Sequence, residues 1–97
     1  MHFTELDAPA LTVDLDVLDP SIMPAVGAPE PGGMQWEHVT ALLREVGRRR
    51  RVVGFDIVEL SPQEGPEACA YTAAKLTYKL MGYMCSYGED WPRANIT

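Results

Sequence analysis

Two aspartates one residue apart, Asp14 and Asp16, interrupt the apolar run Leu11 to Leu18, LTVDLDVL. Along a strand, positions i and i+2 share a face, so the pair is expected to project from one side. Two carboxylates held that close repel each other, and burial strengthens the repulsion. A hard cation such as Mg, Ca or Mn relieves it. The plainer reading is a strand end whose carboxylates reach water, since charged side chains are seldom buried unpaired. A third aspartate, Asp19, stands directly before Pro20. A calcium loop built on Asp14, Asp16 and Asp19 lacks the glycine and the distant glutamate of an EF-hand. Glu59 lies near the end of a second apolar run, Val52 to Leu60, beside Ser61-Pro62. A carboxylate there can take a guanidinium in bidentate fashion, or pair with one of the chain's own arginines. Asp56, three residues earlier, faces the opposite side and reads as a structural partner for a buried donor.

The elements that must position these groups follow from periodicity. Leu11 to Leu18 reads as a strand buried on both faces, as in a parallel sheet. Asp19-Pro20 ends it, because proline lacks a donor and restricts the residue before it. The loop from Pro20 to Gly33 holds Pro20, Pro24, Pro29 and Pro31. Connections of that length are often functional, and ligands of parallel sheets sit beyond the carboxyl ends of strands. Gln35 to Val46 reads as a helix with the stripe Trp36, Val39, Leu42, Leu43 and Val46, and Gly47 as its left-handed stop. His38 falls off the stripe and reads as solvated. Arg48 to Arg51 offset the helix dipole and suit a solvated or subunit-contact face. Val52 to Leu60 is the second strand. Pro66 to about Cys85 is the second helix, with Ala70, Ala73, Leu76 (with Ala74), Leu80 and Met84 inward. Residues 1–10 form an irregular lead-in and 86–97 a polar tail. Strand, helix, strand, helix implies an α/β fold with a right-handed crossover.

Bulk properties narrow the function classes. The chain has 97 residues and fits one small domain. Its net charge of -6 argues against a nucleic-acid partner. No run approaches a membrane span. MHFTELDAPA has no basic region followed by an apolar core, so it does not read as a signal peptide. Cys69 and Cys85 are too far apart for a zinc pair and read as free thiols of a cytoplasmic protein. His2, near the N-terminus, reads as an exposed side chain.

The spacing from Asp14-Leu15-Asp16 through Asp19, Pro20, Pro24-Ala25 and Gly33 resembles a signature of the arginase/agmatinase (ureohydrolase) family. Pro29 to Gly33 (PEPGG), Gly54 to Pro62 (GFDIVELSP) and Ala73 to Tyr83 continue the resemblance over about residues 11 to 85, closest to agmatinase-like members. The resemblance implies the C-terminal part of a three-layer α/β/α parallel-sheet fold, contributing two strands and two main helices. It also implies cleavage of a guanidino compound such as agmatine to urea and an amine, in polyamine metabolism, at a binuclear manganese centre. By position Asp14 resembles the aspartate that bridges both metals and Asp16 the one that binds a single metal. Asp19 resembles a supporting residue, and Glu59 the glutamate that holds the substrate guanidinium. The histidine and the Asp-x-His-x-Asp segment that complete the family centre have no match here, and two carboxylates do not satisfy two manganese ions. The resemblance therefore implies a chain acting with a missing N-terminal part or as a homo-oligomer. A non-catalytic fragment or interaction module retaining part of the metal site is the alternative. Ala28 stands where the family loop usually carries a threonine near the substrate, which implies a different substrate or slower turnover. Two strands and two helices also leave a face and edges uncovered, so the isolated chain is expected to aggregate or associate.

Overall fold

The computed structural model describes residues 10–87. In order they form β1 (Ala10–Asp14), α1 (Trp36–Arg49), β2 (Gly54–Val58) and α2 (Ala68–Met84). Short 3-10 turns follow each strand, at Leu15–Val17 and Pro62–Glu64. The two strands pair in parallel, with Ala10 opposite Gly54 and Asp14 opposite Val58. An α/β arrangement is what alternating strand and helix patterns require.

β1 is shorter than its apolar run. Leu15 has left the strand for the 3-10 turn, and its side chain is fully buried there. The turn can start because the Asp14 carboxylate accepts the Asp16 N–H at 2.8 Å, capping it. An uninterrupted apolar run cannot separate a long strand from a strand plus a buried turn. The strand is also not covered on both faces: Leu11 and Val13 are buried, while Ala10, Thr12 and Asp14 are exposed. The core joins Leu11 and Val13 to Leu15, Leu18, Met23, Val39, Leu43, Ala73, Leu76 and Leu80, with Phe55 and Ile57 of β2 packed against it. Both helices thus serve the same face of the pair. Asp56, opposite Thr12, is exposed on the other face and is not the buried structural partner expected.

Strand β2 is likewise shorter than Val52 to Leu60. Leu60 instead makes an antiparallel bridge to Val26 in the proline loop.

α1 runs three residues past its expected end. Gly47 is not a left-handed stop; it is buried inside the helix against α2. A Cβ there would lie 2.5 Å from the Tyr83 carbonyl oxygen and 2.8 Å from its carbon. Close passage of the two backbones, not chain termination, explains this glycine. The helix ends at Arg50, whose backbone is extended while its N–H reaches the Val46 carbonyl at 2.8 Å. The inward stripe differs at one place: Leu42 is exposed and Thr40 is buried. Thr40 is tolerated because its Oγ1 donates to the Trp36 carbonyl at 3.0 Å, which satisfies the hydroxyl locally. Arg48 and Arg49 both pair with Glu45 on the helix surface.

α2 begins at Ala68 rather than Pro66, with Glu67 as its cap. Its buried residues are Cys69, Ala73, Leu76 and Leu80, so Cys69 replaces Ala70 in the stripe, and Ala70 and Ala74 are exposed. Both cysteines are free, Cys69 buried and Cys85 exposed. Burial raises the pKa of the Tyr83 phenol, opposed by Arg44, whose guanidinium lies 6.0 Å from the ring centroid. No helix among the described residues is long and apolar enough to cross a membrane. The lead-in up to residue 9, with His2, and the tail from residue 88 lie outside the described residues.

Candidate functional site

At the carboxyl ends of the two strands the chain gathers its acidic candidates. Asp14 is the last residue of β1 and is exposed. Asp16 follows in the 3-10 turn, so the two do not share a strand face. They are joined instead by the hydrogen bond from the Asp16 N–H to Asp14 Oδ1. Asp16 Oδ1 is buried and has no hydrogen-bond partner among the described residues. A buried, unsatisfied carboxylate oxygen costs about 1–3 kcal/mol or more, and such groups call for an ion or another missing partner. Asp14 retains lone pairs after its one bond, since a carboxylate offers roughly four acceptor sites. Hard oxygen donors of this kind fit Mn, Mg or Ca. The described residues contain no group of three or more His, Cys, Asp or Glu side chains that could hold a metal. Asp14 and Asp16 are the two carboxylates that the chain places one residue apart in sequence at this strand end.

Glu59 follows Val58, the residue paired with Asp14 in the sheet register, so it emerges at the same sheet edge. It is exposed, and no ion pair to it is seen among the described residues. Its φ is 76°, the only positive value for a non-glycine residue among those described. That left-handed backbone has a cause in topology. Val58 still pairs in parallel with Asp14, whereas Leu60 pairs antiparallel with Val26. Glu59 is the single residue in which the chain changes partner. Its Oε1 lies beside Gly27, 3.6 Å from where a Cβ would stand there. Strain of this kind costs about 1–3 kcal/mol and clusters at functional sites. Glu59→Gly should therefore raise the stability of the chain by about 1 kcal/mol in a denaturant titration, while removing the carboxylate; a loss of stability would count against strain.

Asp19 has partners of its own in the proline loop. Its Oδ2 accepts from the Ser21 N–H at 2.9 Å and from the Ser21 hydroxyl at 2.5 Å. Its Oδ1 accepts from the N–H groups of Gly32 and Gly33 at 3.0 and 3.1 Å. One carboxylate thus fastens both ends of the proline loop. Gly33 is required by this approach, because a Cβ would lie 2.6 Å from the Asp19 nitrogen. The Ser21 hydroxyl first, then the Ser21 N–H and the two glycine N–H groups, hold the Asp19 pKa below the ordinary carboxylate value, against some desolvation. A lowered folded pKa means the clamp's stabilisation is complete above the ordinary aspartate value and is lost as pH falls through the lower folded one. An NMR pH titration should show the Gly32 and Gly33 amide shifts moving in that acidic window, and not moving there in Asp19→Asn.

The sequence pattern missed Gly27 and Ser21. Asp-Pro-Ser is a readable turn signal for the Ser21 bond. Nothing local marks Gly27, which matters only because Glu59 turns toward it.

The chain as a whole is similar to known proteins. The Arginase family model matches residues 3–82, and the chain belongs to that family. It is 45% identical over 80 residues to N(1)-aminopropylagmatine ureohydrolase of Synechocystis sp., covering 82% of this chain and 25% of that protein. Against the enzyme of the same name from Thermus thermophilus it is 49% identical over 72 residues, covering 74% of this chain and 24% of the other. The solved proclavaminate amidinohydrolase from Streptomyces clavuligerus superposes with a TM-score of 0.73 at 36% identity, over 79% of this chain and 26% of that one. Agmatine ureohydrolase of Thermoplasma volcanium gives 0.69 at 38% identity, over 78% and 25%. The chain spans about a quarter of the length of these relatives.

Proposed function

We propose that this chain supplies part of the metal site and the guanidinium-binding glutamate of an agmatinase-like ureohydrolase, acting within a longer or assembled enzyme. Its substrate is a guanidino compound such as agmatine, cleaved to urea and an amine. The observation that carries the reading is the buried, partnerless Asp16 Oδ1 at the end of β1, with Glu59 just past the end of the adjacent strand. Similarity to ureohydrolases over most of the chain supports it.

Asp14 and Asp16 are the residues that would hold manganese, through carboxylate oxygens at the end of β1. When bound, manganese lowers the pKa of water and stabilises the charge that develops at the attacked carbon. Glu59 holds the guanidinium through charge-assisted hydrogen bonds and orients its carbon. Asp19 supports the loop beside it. Two carboxylates leave most of each ion's coordination to ligands outside the described residues, from an N-terminal part or from other copies of the chain. The same shortage of ligands favours, as a second reading, a non-catalytic module that keeps part of the metal site. The free thiols suit a reducing, cytoplasmic setting.

The test is manganese titration by calorimetry together with urea release from agmatine, using the purified chain and Asp14→Ala. Manganese bound by the chain and not by Asp14→Ala, with urea formed, supports an assembled enzyme. Manganese bound in the same way without urea supports the module. No difference between the two proteins in manganese binding sinks both readings.

A further inference from the structure

The proline loop and Glu59 are mechanically connected, and the connection starts at Asp19. Asp19 bonds Ser21 at the start of the loop and Gly32 and Gly33 at its end. Its backbone adds to the closure: the Asp19 N–H donates to the Met34 carbonyl at 2.9 Å, and its carbonyl accepts from Ile22 and Met23. Between these fastened ends the loop dips into the core, where Met23, Ala25 and Val26 are almost fully buried. That buried part is what meets the segment after β2. The Ser61 N–H donates to the Ala25 carbonyl at 2.8 Å, and Val26 bridges Leu60. Glu59 sits between the β2 ladder and this second attachment.

We propose that Asp19 is a positioning residue for Glu59: by clamping both ends of the loop it fixes the Ala25–Val26 anchor, and the anchor holds the Glu59 backbone left-handed with its carboxylate beside Gly27. A residue free to choose would leave that conformation, because a non-glycine side chain pays for it in strain. It persists only where the surroundings over-determine it, and here two attachments on either side of one residue do so. Loosening the loop releases one attachment and lets Glu59 relax toward extended backbone, carrying its carboxylate away. Supporting groups that orient a binding residue typically change affinity by about 10–100-fold when removed. This inference rests on the proposed function for what Glu59 binds, and not for how Glu59 is held.

Two measurements test it on the full chain. The first is a double-mutant cycle with agmatine as the titrated ligand, using Asp19→Asn, Glu59→Gln and the double variant. Asp19→Asn is expected to weaken agmatine about tenfold when Glu59 is present, and by less than about twofold when position 59 is already glutamine. Equal losses in both backgrounds overturn the proposal. The second is amide hydrogen exchange, which needs no ligand. Asp19→Asn should speed exchange at Val26 and Ser61 and leave Leu76 and Leu80 of α2 unchanged. Unchanged exchange at Ser61 overturns the proposal, and so does equal acceleration in α2, which would make Asp19 a general stabiliser. If the unsubstituted chain binds no agmatine, the guanidinium reading of Glu59 falls, and the exchange result alone decides the role of Asp19.

Discussion

Manganese is expected to stabilise the chain against heat, and Asp16→Asn to abolish that stabilisation without destabilising the metal-free protein. The expectation follows from the state of Asp16 Oδ1, which is buried and has no partner among the described residues. Asparagine keeps the shape of the side chain and removes the charge. In the metal-free chain a charged carboxylate with one oxygen buried and unpartnered is a liability, so removing the charge should leave the melting temperature unchanged or raise it. With metal present the sign reverses. A ligand that binds only the folded state stabilises by RT ln(1 + [L]/Kd), about 2.7 kcal/mol at a hundredfold excess over Kd. Losing a direct carboxylate ligand should weaken binding at least as much as losing an outer partner, about 10–100-fold, and so erase most of that gain. Thermal melts of both proteins with and without manganese give all four numbers. An equal manganese-induced rise in Asp16→Asn would show that the metal, if bound, sits elsewhere.

The second large effect concerns two glycines in helices, for which substitution by alanine should act with opposite sign. Gly82 lies in α2, exposed, and a Cβ there meets nothing within 4 Å. Helix propensity alone applies, and Gly82→Ala should stabilise by about 0.5–1 kcal/mol. At Gly47 the same propensity gain is available, but the new methyl lies 2.5 Å from the Tyr83 carbonyl oxygen. The obstacle is backbone, which no rotamer change relieves, so α1 and α2 must move apart. Overpacking costs typically about 1–3 kcal/mol, and separating two helices that share the core loses further contact. Gly47→Ala should therefore destabilise by about 1–2 kcal/mol net. Urea denaturation of the two variants, compared by midpoint at constant slope, measures both. A stabilised Gly47→Ala would mean the helices do not approach as closely as the structure has them.

The acidic residues at the site were readable as candidates, though not in their arrangement. Asp14-Leu15-Asp16 stands out as charge within an apolar run, and the strand rule placed both on one face. The rule holds only while the strand lasts. Asp14 itself ends β1 by capping the turn, and this turns Asp16 out of the strand and buries one of its oxygens. Asp19 before proline, with serine after it, announces a turn. Its reach across the loop to Gly32 and Gly33 depends on where the far end of the loop returns.

Composition and periodicity determined the order of the main elements, the α/β class and most of the inward face of each helix, with Leu42 in α1 and Ala70 and Ala74 in α2 turning outward instead. These are local properties, set by side-chain chemistry at separations of two, three and four residues. Tertiary structure alone decided which face of the strand pair stays open, why Gly47 is a glycine, and that Glu59 is left-handed beside Gly27. Each of these depends on two backbone segments distant in sequence meeting closely, as α1 meets Tyr83 and the proline loop meets Leu60 and Ser61. Neither segment of such a pair carries the other's position, so no pattern within one stretch can express it.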